Sequence, residues 1–286
     1  MNLVWKTFLP GRPSVMKTLS NGNYFISTGN LSTHIISPQG KILKNGSINV
    51  ISVINPLILP QNNANEVIFF GAHTKEGRCQ IVLNLDTFKT EKREKYYLPK
   101  GYLYEDKFIV DSEAIHAVNH SICSLMTFSE RGVIFSCDKK MSIYEFQTNK
   151  LHVIPFKNDV DLRWCFWSPD NKHIALRNSF DLSILNLETL EMKRIEKNIE
   201  ANLYFGFFWL NNHYLLIHKL QSDPYILDIR TMKKTFKLSI GNWWDRLFWK
   251  RSLFHVDLDR FIAFYKQDNV LYAYQLPLEL KPLLEV

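Results

Sequence analysis

Short runs of β-branched, aromatic and aliphatic residues alternate with polar turns along nearly the whole chain. The clearest stretch opens Phe166-Trp167-Ser168-Pro169-Asp170-Asn171-Lys172-His173-Ile174-Ala175-Leu176. It continues through Leu182-Ser183-Ile184-Leu185-Asn186-Leu187-Glu188-Thr189-Leu190-Glu191 into Met192-Lys193-Arg194-Ile195. Pro-Asp-Asn favours one tight turn and Leu-Glu-Thr-Leu a second, and the apolar runs between them read as strands. The expected unit is a four-stranded antiparallel meander. The same grammar returns from Trp209 to Thr231 and from Phe128 to Thr148.

The unit repeats. The dipeptides Phe166-Trp167, Phe208-Trp209 and Phe248-Trp249 recur at steps of 42 and 40 residues (209 − 167 and 249 − 209). Anchors near 19, 60, 104, 128, 167, 209 and 249 extend the period in both directions, with one short step of 24 between 104 and 128. That step leaves too little chain for a fourth strand. The expectation is seven units with the third degenerate, and six as the fallback count. Four strands in a period near 40 are the signature of a β-propeller, whose blades bury their apolar faces against each other. The chain resembles the WD-repeat-like superfamily of propellers in this pattern, most closely at Ser168-Pro169-Asp170-Asn171-Lys172 with Leu187-Glu188-Thr189. The Gly-His and Trp-Asp pairs of standard WD repeats do not stand at blade positions. The resemblance implies an all-β fold, a single propeller domain over residues 1–286 with four-stranded antiparallel blades. Val4 to Leu9 is a spare strand expected to complete the last blade, because Pro282 makes Leu278 to Pro282 a poor interior strand.

Composition supports a large core: 46% of residues are hydrophobic and 14% aromatic. The N-terminus carries no signal-peptide pattern and no run approaches the ~20 apolar residues of a spanning helix, which points to a cytoplasmic protein without membrane insertion. The four cysteines, Cys79, Cys123, Cys137 and Cys165, follow no metal-finger spacing and read as reduced thiols.

Residues that return in every unit serve the scaffold, so Trp167, Trp209 and Trp249 are expected to pack between blades. A site must be built from what does not repeat. The strongest such feature is the segment 230–251, with seven cations (Arg230, Lys233, Lys234, Lys237, Arg246, Lys250, Arg251), one acid (Asp245) and the pair Trp243-Trp244. Its surplus of +6 is nearly the whole formal charge of +7. Trp243, Trp244, Arg246, Lys250 and Arg251 are the expected contact residues for a partner protein with an acidic surface. Lys233, Lys234 and Lys237 fall on an outermost strand, where lysines also guard an edge against unwanted pairing. The mixed run from Lys89 to Lys95 reads as a solvated outer strand.

No catalytic set emerges. His116, His120 and Cys123 lie in strand and turn, where a spacing of four does not bring rings together. Asp159 with Asp161 and Asp257 with Asp259 are paired carboxylates more suited to bonding turn amides. Phosphate loops, nucleophile elbows and HExxH are missing from the sequence. The reading is therefore a scaffold without a cofactor, metal or catalytic residues, using a rim or the central funnel. Two alternatives are a hydrolase- or lyase-type enzyme or ligand binder in the central channel, and, more weakly, nucleic-acid binding through 230–251.

Overall fold

The computed structural model describes residues 1–48, 55–57, 66–75, 77–98, 101–104, 107–110, 113–115, 126–128, 132–137, 140–146, 148, 150–155, 160–178, 181–196, 205–219, 223–238 and 252–284. The chain is all-β, built of four-stranded antiparallel meanders in the arrangement of a β-propeller. Strand β1 (Asn2–Phe8) precedes the first meander, β2 (Pro13–Thr18), β3 (Tyr24–Thr28), β4 (Ser32–Ile36) and β5 (Ile42–Ser47). The second is β6 (Asn55–Leu57), β7 (Glu66–Thr74), β8 (Gly77–Asn84) and β9 (Thr90–Arg93). The third is β10 (Lys95–Leu98), β11 (Gly101–Tyr104), β12 (Lys107–Val110) and β13 (Glu113–Ile115), and the fourth is β14 (Met126–Phe128), β15 (Gly132–Cys137), β16 (Lys140–Glu145) and β17 (Lys150–Pro155). The fifth is β18 (Val160–Trp167), β19 (His173–Asn178), β20 (Asp181–Asn186) and β21 (Met192–Glu196), and the sixth β22 (Phe205–Trp209), β23 (Tyr214–Lys219), β24 (Tyr225–Asp228) and β25 (Lys233–Lys237). The last sheet combines β26 (Ser252–Asp257), β27 (Ile262–Gln267) and β28 (Val270–Gln275) with β1, giving seven four-stranded sheets among the described residues.

The compressed third unit keeps its fourth strand, contrary to the expectation from its length. Its strands have shrunk to three or four residues, joined by the shortest connections, so a complete meander fits between Lys95 and Ile115. Pro282 lies in a short helical turn, Lys281–Leu284, rather than in a strand. Among the described residues, no helix is long and apolar enough to cross a membrane.

The turn from third to fourth strand has a side-chain mechanism that the sequence repeats. Asn84 Oδ1 accepts the backbone N–H groups of Asp86 and Thr87, and Asn186 Oδ1 those of Glu188 and Thr189. Asp228 Oδ1 takes the same place toward Arg230 N–H. The residue closing each turn, Phe88, Leu190 or Met232, has φ near +57°, a conformation that costs a β-carbon about 1 kcal/mol or more. The asparagine or aspartate bonds make that conformation tolerable.

Contacts divide the chain into two compact units, Met1–Leu43 with Phe166–Ala175 and Phe180–Val286, and Lys44–Cys165 with Leu176–Ser179. In the first, the closing sheet is buried on both faces. Leu253, Ala263, Tyr265 and Tyr274 pack with Tyr214, Leu216 and Ile226 on one side. Phe264, Leu271 and Ala273 pack with Met16, Tyr24, Ile26 and Ile36 on the other. Side chains of this size each contribute roughly 1.5–3 kcal/mol when fully buried. Close approach needs a missing side chain at Gly206 in β22, where a Cβ would stand 2.6 Å from Leu253 O of β26. In the second unit Val67, Ile68, Phe69, Val82 and Leu83 are buried on β7 and β8, and Val133, Ile134 and Ile143 on β15 and β16.

His34 on β4 is an exception within this core. It is 2% exposed, and neither ring nitrogen has a hydrogen-bond partner among the described residues. Burial holds its imidazole below the ordinary histidine range. The unfolded chain therefore takes up a proton first as pH falls below about 6.5, so this site makes the fold progressively less stable in acid. His34→Leu is expected to raise stability by about 1 kcal/mol at pH 7, because an unbonded buried polar group is replaced by an apolar one. It should also flatten the decline between pH 6.5 and 5 in urea titrations. A loss of stability at pH 7, or an unchanged slope, would refute the assignment.

Candidate functional site

Trp243, Trp244, Arg246, Lys250 and Arg251, the contact residues expected from sequence, lie outside the described residues, as do Trp249, His116, His120, Cys123 and Asp159. The described half of the basic segment is an exposed edge. Lys233, Lys234, Thr235 and Lys237 face solvent on β25, the outermost strand of its sheet. Local partners hold part of this charge. Arg230 grips Asp228 through Nε at 3.1 Å and Nη2 at 2.9 Å, and Nη2 also donates to the Tyr214 hydroxyl at 3.0 Å. The hydrogen bonds from Arg230 outweigh burial and keep the Asp228 carboxyl below its usual range. Lys237 pairs with Asp223 at 2.8 Å, and Lys234 lies 4.2 Å from the centre of the Tyr225 ring.

Trp209 is a scaffold residue as expected. It is 7% exposed and donates from Nε1 to Phe166 O at 2.9 Å. Trp167 is half-buried at the end of β18. The two end the first strands of their sheets, and the same place in the last sheet belongs to Asp257, which ends β26. Phe248-Trp249 precedes β26 and does not end it. In the first meander that place belongs to Thr18, preceded by Lys17.

These departures from the repeat meet. The first strands β2 and β26 lie side by side, and the His255 ring nitrogen Nε2 is 2.9 Å from Thr18 Oγ1. The imidazole stacks on Phe264 with ring centres 6.0 Å apart and meets Phe208 edge-on at 5.9 Å. Burial, reinforced by the positive charge of Lys17, pushes its pKa down to about 3, so the ring is neutral at physiological pH. Tyr24 donates its hydroxyl to Asp257 Oδ2 at 2.7 Å, and Arg260 Nη1 donates to the same oxygen at 3.0 Å. Burial alone would raise the Asp257 pKa, but these bonds and the Arg260 N–H hold it low. The sequence pairing of Asp257 with Asp259 does not survive, since Asp257 is buried and Asp259 exposed. Asp257 instead accepts a turn amide, the role expected of such carboxylates.

Toward the opposite end of β2, Lys266 donates from Nζ to Pro13 O at 2.8 Å and lies 4.2 Å from the centre of the Phe254 ring. Burial, with the neighbouring charge of Arg12, pushes its ammonium down to about 8. Lys17 combines solvent-accessible surface with an ammonium that burial holds below the usual lysine range. Arg12, Lys17, Thr18, His255 and Lys266 were missed in the sequence. Aligning units on the last residue of the first strand, rather than on Trp249, exposes Lys17-Thr18 and Val256-Asp257 where the fifth and sixth units have Phe-Trp. In comparisons with known proteins, no family model and no curated protein sequence matches this chain.

Proposed function

We propose that the chain is a non-enzymatic protein-interaction platform, a single propeller domain of the cytoplasm that binds an acidic surface of a partner protein through residues 230–251. The supporting observation is the exposed basic edge formed by Lys233, Lys234 and Lys237 on β25, which leads in sequence directly to Trp243, Trp244, Arg246, Lys250 and Arg251. Cations that add long-range attraction and aromatic rings that bury area are the combination found at anchor points of interfaces. The propeller arrangement suits this role by holding such a surface on a rigid frame, an argument from fold analogy. Buried free thiols at Cys79 and Cys165 agree with a reducing compartment.

The test is a quantitative pull-down from native lysate, followed by titration of the purified partner. Wild type is compared with a Trp243→Ala/Trp244→Ala/Lys250→Glu/Arg251→Glu variant and with a Lys233→Glu/Lys237→Glu variant, each checked for folding by circular dichroism. Binding of one acidic protein, weakened at least tenfold in both variants, is the expected result. Equal recovery by all three removes this segment as the contact surface. Recovery of nucleic acid instead, with affinity falling steeply as salt rises, would favour the phosphate-tracking alternative.

A further inference from the structure

We propose that β1, the outermost strand of the last sheet, is a docking edge for an extended acidic peptide of a partner protein, which adds to it as a further strand. The surface is separate from residues 230–251, and the inference does not rest on the partner proposed for them.

Three observations carry the inference. The first is an open edge, since β1 ends its sheet with β28 on one side. Leu9 N–H bonds inward to Asn269 O. By the alternation of an antiparallel ladder, the backbone groups of Thr7 then turn toward β28, and those of Lys6 and Phe8 turn away from it. An incoming strand pairs with such outward N–H and C=O groups.

The second is apolar exposure without the usual guard. Leu3, Val4 and Phe8 are 50%, 49% and 66% exposed. The outer strands β9, β21 and β25 each carry three charged residues in four or five positions, which discourages pairing. β1 carries one, Lys6, in seven. β17 also exposes Leu151 and Val153, but Pro155 at its end is a guard of another kind.

The third is charge. Residues 1–65 hold five cations, Lys6, Arg12, Lys17, Lys41 and Lys44, and no aspartate or glutamate. Lys6 is exposed on β1 itself. Lys41, also exposed, follows Gly40, whose carbonyl accepts the Thr7 hydroxyl. An acidic strand therefore meets complementary charge along this edge, and a basic one meets repulsion.

The edge is also held in shape. Trp5 Nε1–H bonds to Pro38 O at 2.8 Å and Thr7 to Gly40 O, which fixes one face of β1 on the first meander. Lys6 and Phe8 project from the other face. Only the peptide then has to be ordered on binding, which favours affinity.

The test is fluorescence anisotropy of the full chain with a capped, labelled peptide of alternating glutamate and valine, beside a lysine-valine counterpart. Amide hydrogen exchange is followed by NMR with and without the peptide. The glutamate peptide should bind saturably and slow exchange at the Lys6 and Phe8 amides about tenfold, the mark of new backbone bonds. Lys6→Glu and Phe8→Pro should each weaken it about tenfold. Proline at position 8 spares the bonds to β28, because the Phe8 N–H faces outward. If Phe8→Pro fails to fold by circular dichroism, Lys6→Glu and the exchange data decide. Lys233→Glu/Lys237→Glu should bind as wild type does. The proposal is overturned if the peptide does not bind at about 1 mM, if it binds without protecting those two amides, or if the lysine peptide binds equally well. A larger loss in Lys233→Glu/Lys237→Glu than in Lys6→Glu would also overturn it. So would self-association of the free chain in sedimentation that Phe8→Pro abolishes, since the edge would then belong to a second copy.

Discussion

Removal of residues 1–8 is expected to abolish cooperative folding of the isolated chain. β1 runs antiparallel to β28 from Asn2 opposite Gln275 to Phe8 opposite Val270, and Leu9 N–H continues the ladder to Asn269 O at 2.8 Å. Without it, β28 becomes a bare edge and the last sheet keeps only strands β26 to β28. Trp5 leaves as well, with its Nε1–H bond to Pro38 O at 2.8 Å and its contact with the first meander. Its ring lies against Gly40, where a Cβ would come within 2.6 Å of the indole and where φ is +83°. Lost backbone bonds at about 1 kcal/mol each and a lost tryptophan contact at about 3 kcal/mol together approach the whole stability of a typical domain. The measurement is urea unfolding of the truncated chain, with and without a synthetic peptide of residues 1–9. A broad or absent transition, restored by the peptide, is the expected result. A truncated chain within about 1 kcal/mol of wild type would contradict the closing role of β1.

The second large effect is at Asp257. Asp257→Ala should cost about 2–4 kcal/mol, because it strips the buried Tyr24 hydroxyl of its acceptor and Arg260 of its counter-charge. Arg260 retains access to water at 32% exposure, which limits the loss to less than that of a fully buried pair. Asp257→Asn keeps an acceptor for Tyr24 and should lose about half as much. In the cycle with Tyr24→Phe the two losses should not add, since both remove one bond. The low carboxyl pKa also fixes a sign. Stability from this group is present above the unfolded value near 3.9 and disappears as pH falls through the lower folded value. Additive losses in the cycle, or a cost below about 0.5 kcal/mol for Asp257→Ala, would show that the junction of the two sheets does not depend on it.

Much of this fold was legible because a repeat averages over its own noise. One Pro-Asp-Asn turn is weak evidence, but polar turns and apolar pairs returning every 40 residues or so specify a meander many times over. The outer position of Lys233, Lys234 and Lys237 followed from counting strands within a unit, as did the packing role of Trp209. Errors came where copies diverged. The third unit looked too short for four strands because length was judged against its neighbours, whereas strands of three or four residues still close a sheet. Trp249 imitated the end of a first strand and drew the alignment eight residues away from Asp257 (257 − 249). That shift hid Lys17, Thr18 and His255 as exceptions to the pattern.

The sequence by itself determined what depends on nearest neighbours along the chain: the strand alternation, the turn chemistry of Asn84, Asn186 and Asp228, the period, and the spare strand at the N-terminus. Tertiary structure alone decided which side chains from distant copies meet. Thr18 and His255 are 237 residues apart, and Tyr24 and Asp257 are 233 apart. No local propensity encodes those pairs. They arise because β1 joins the final sheet and brings the two ends of the chain together.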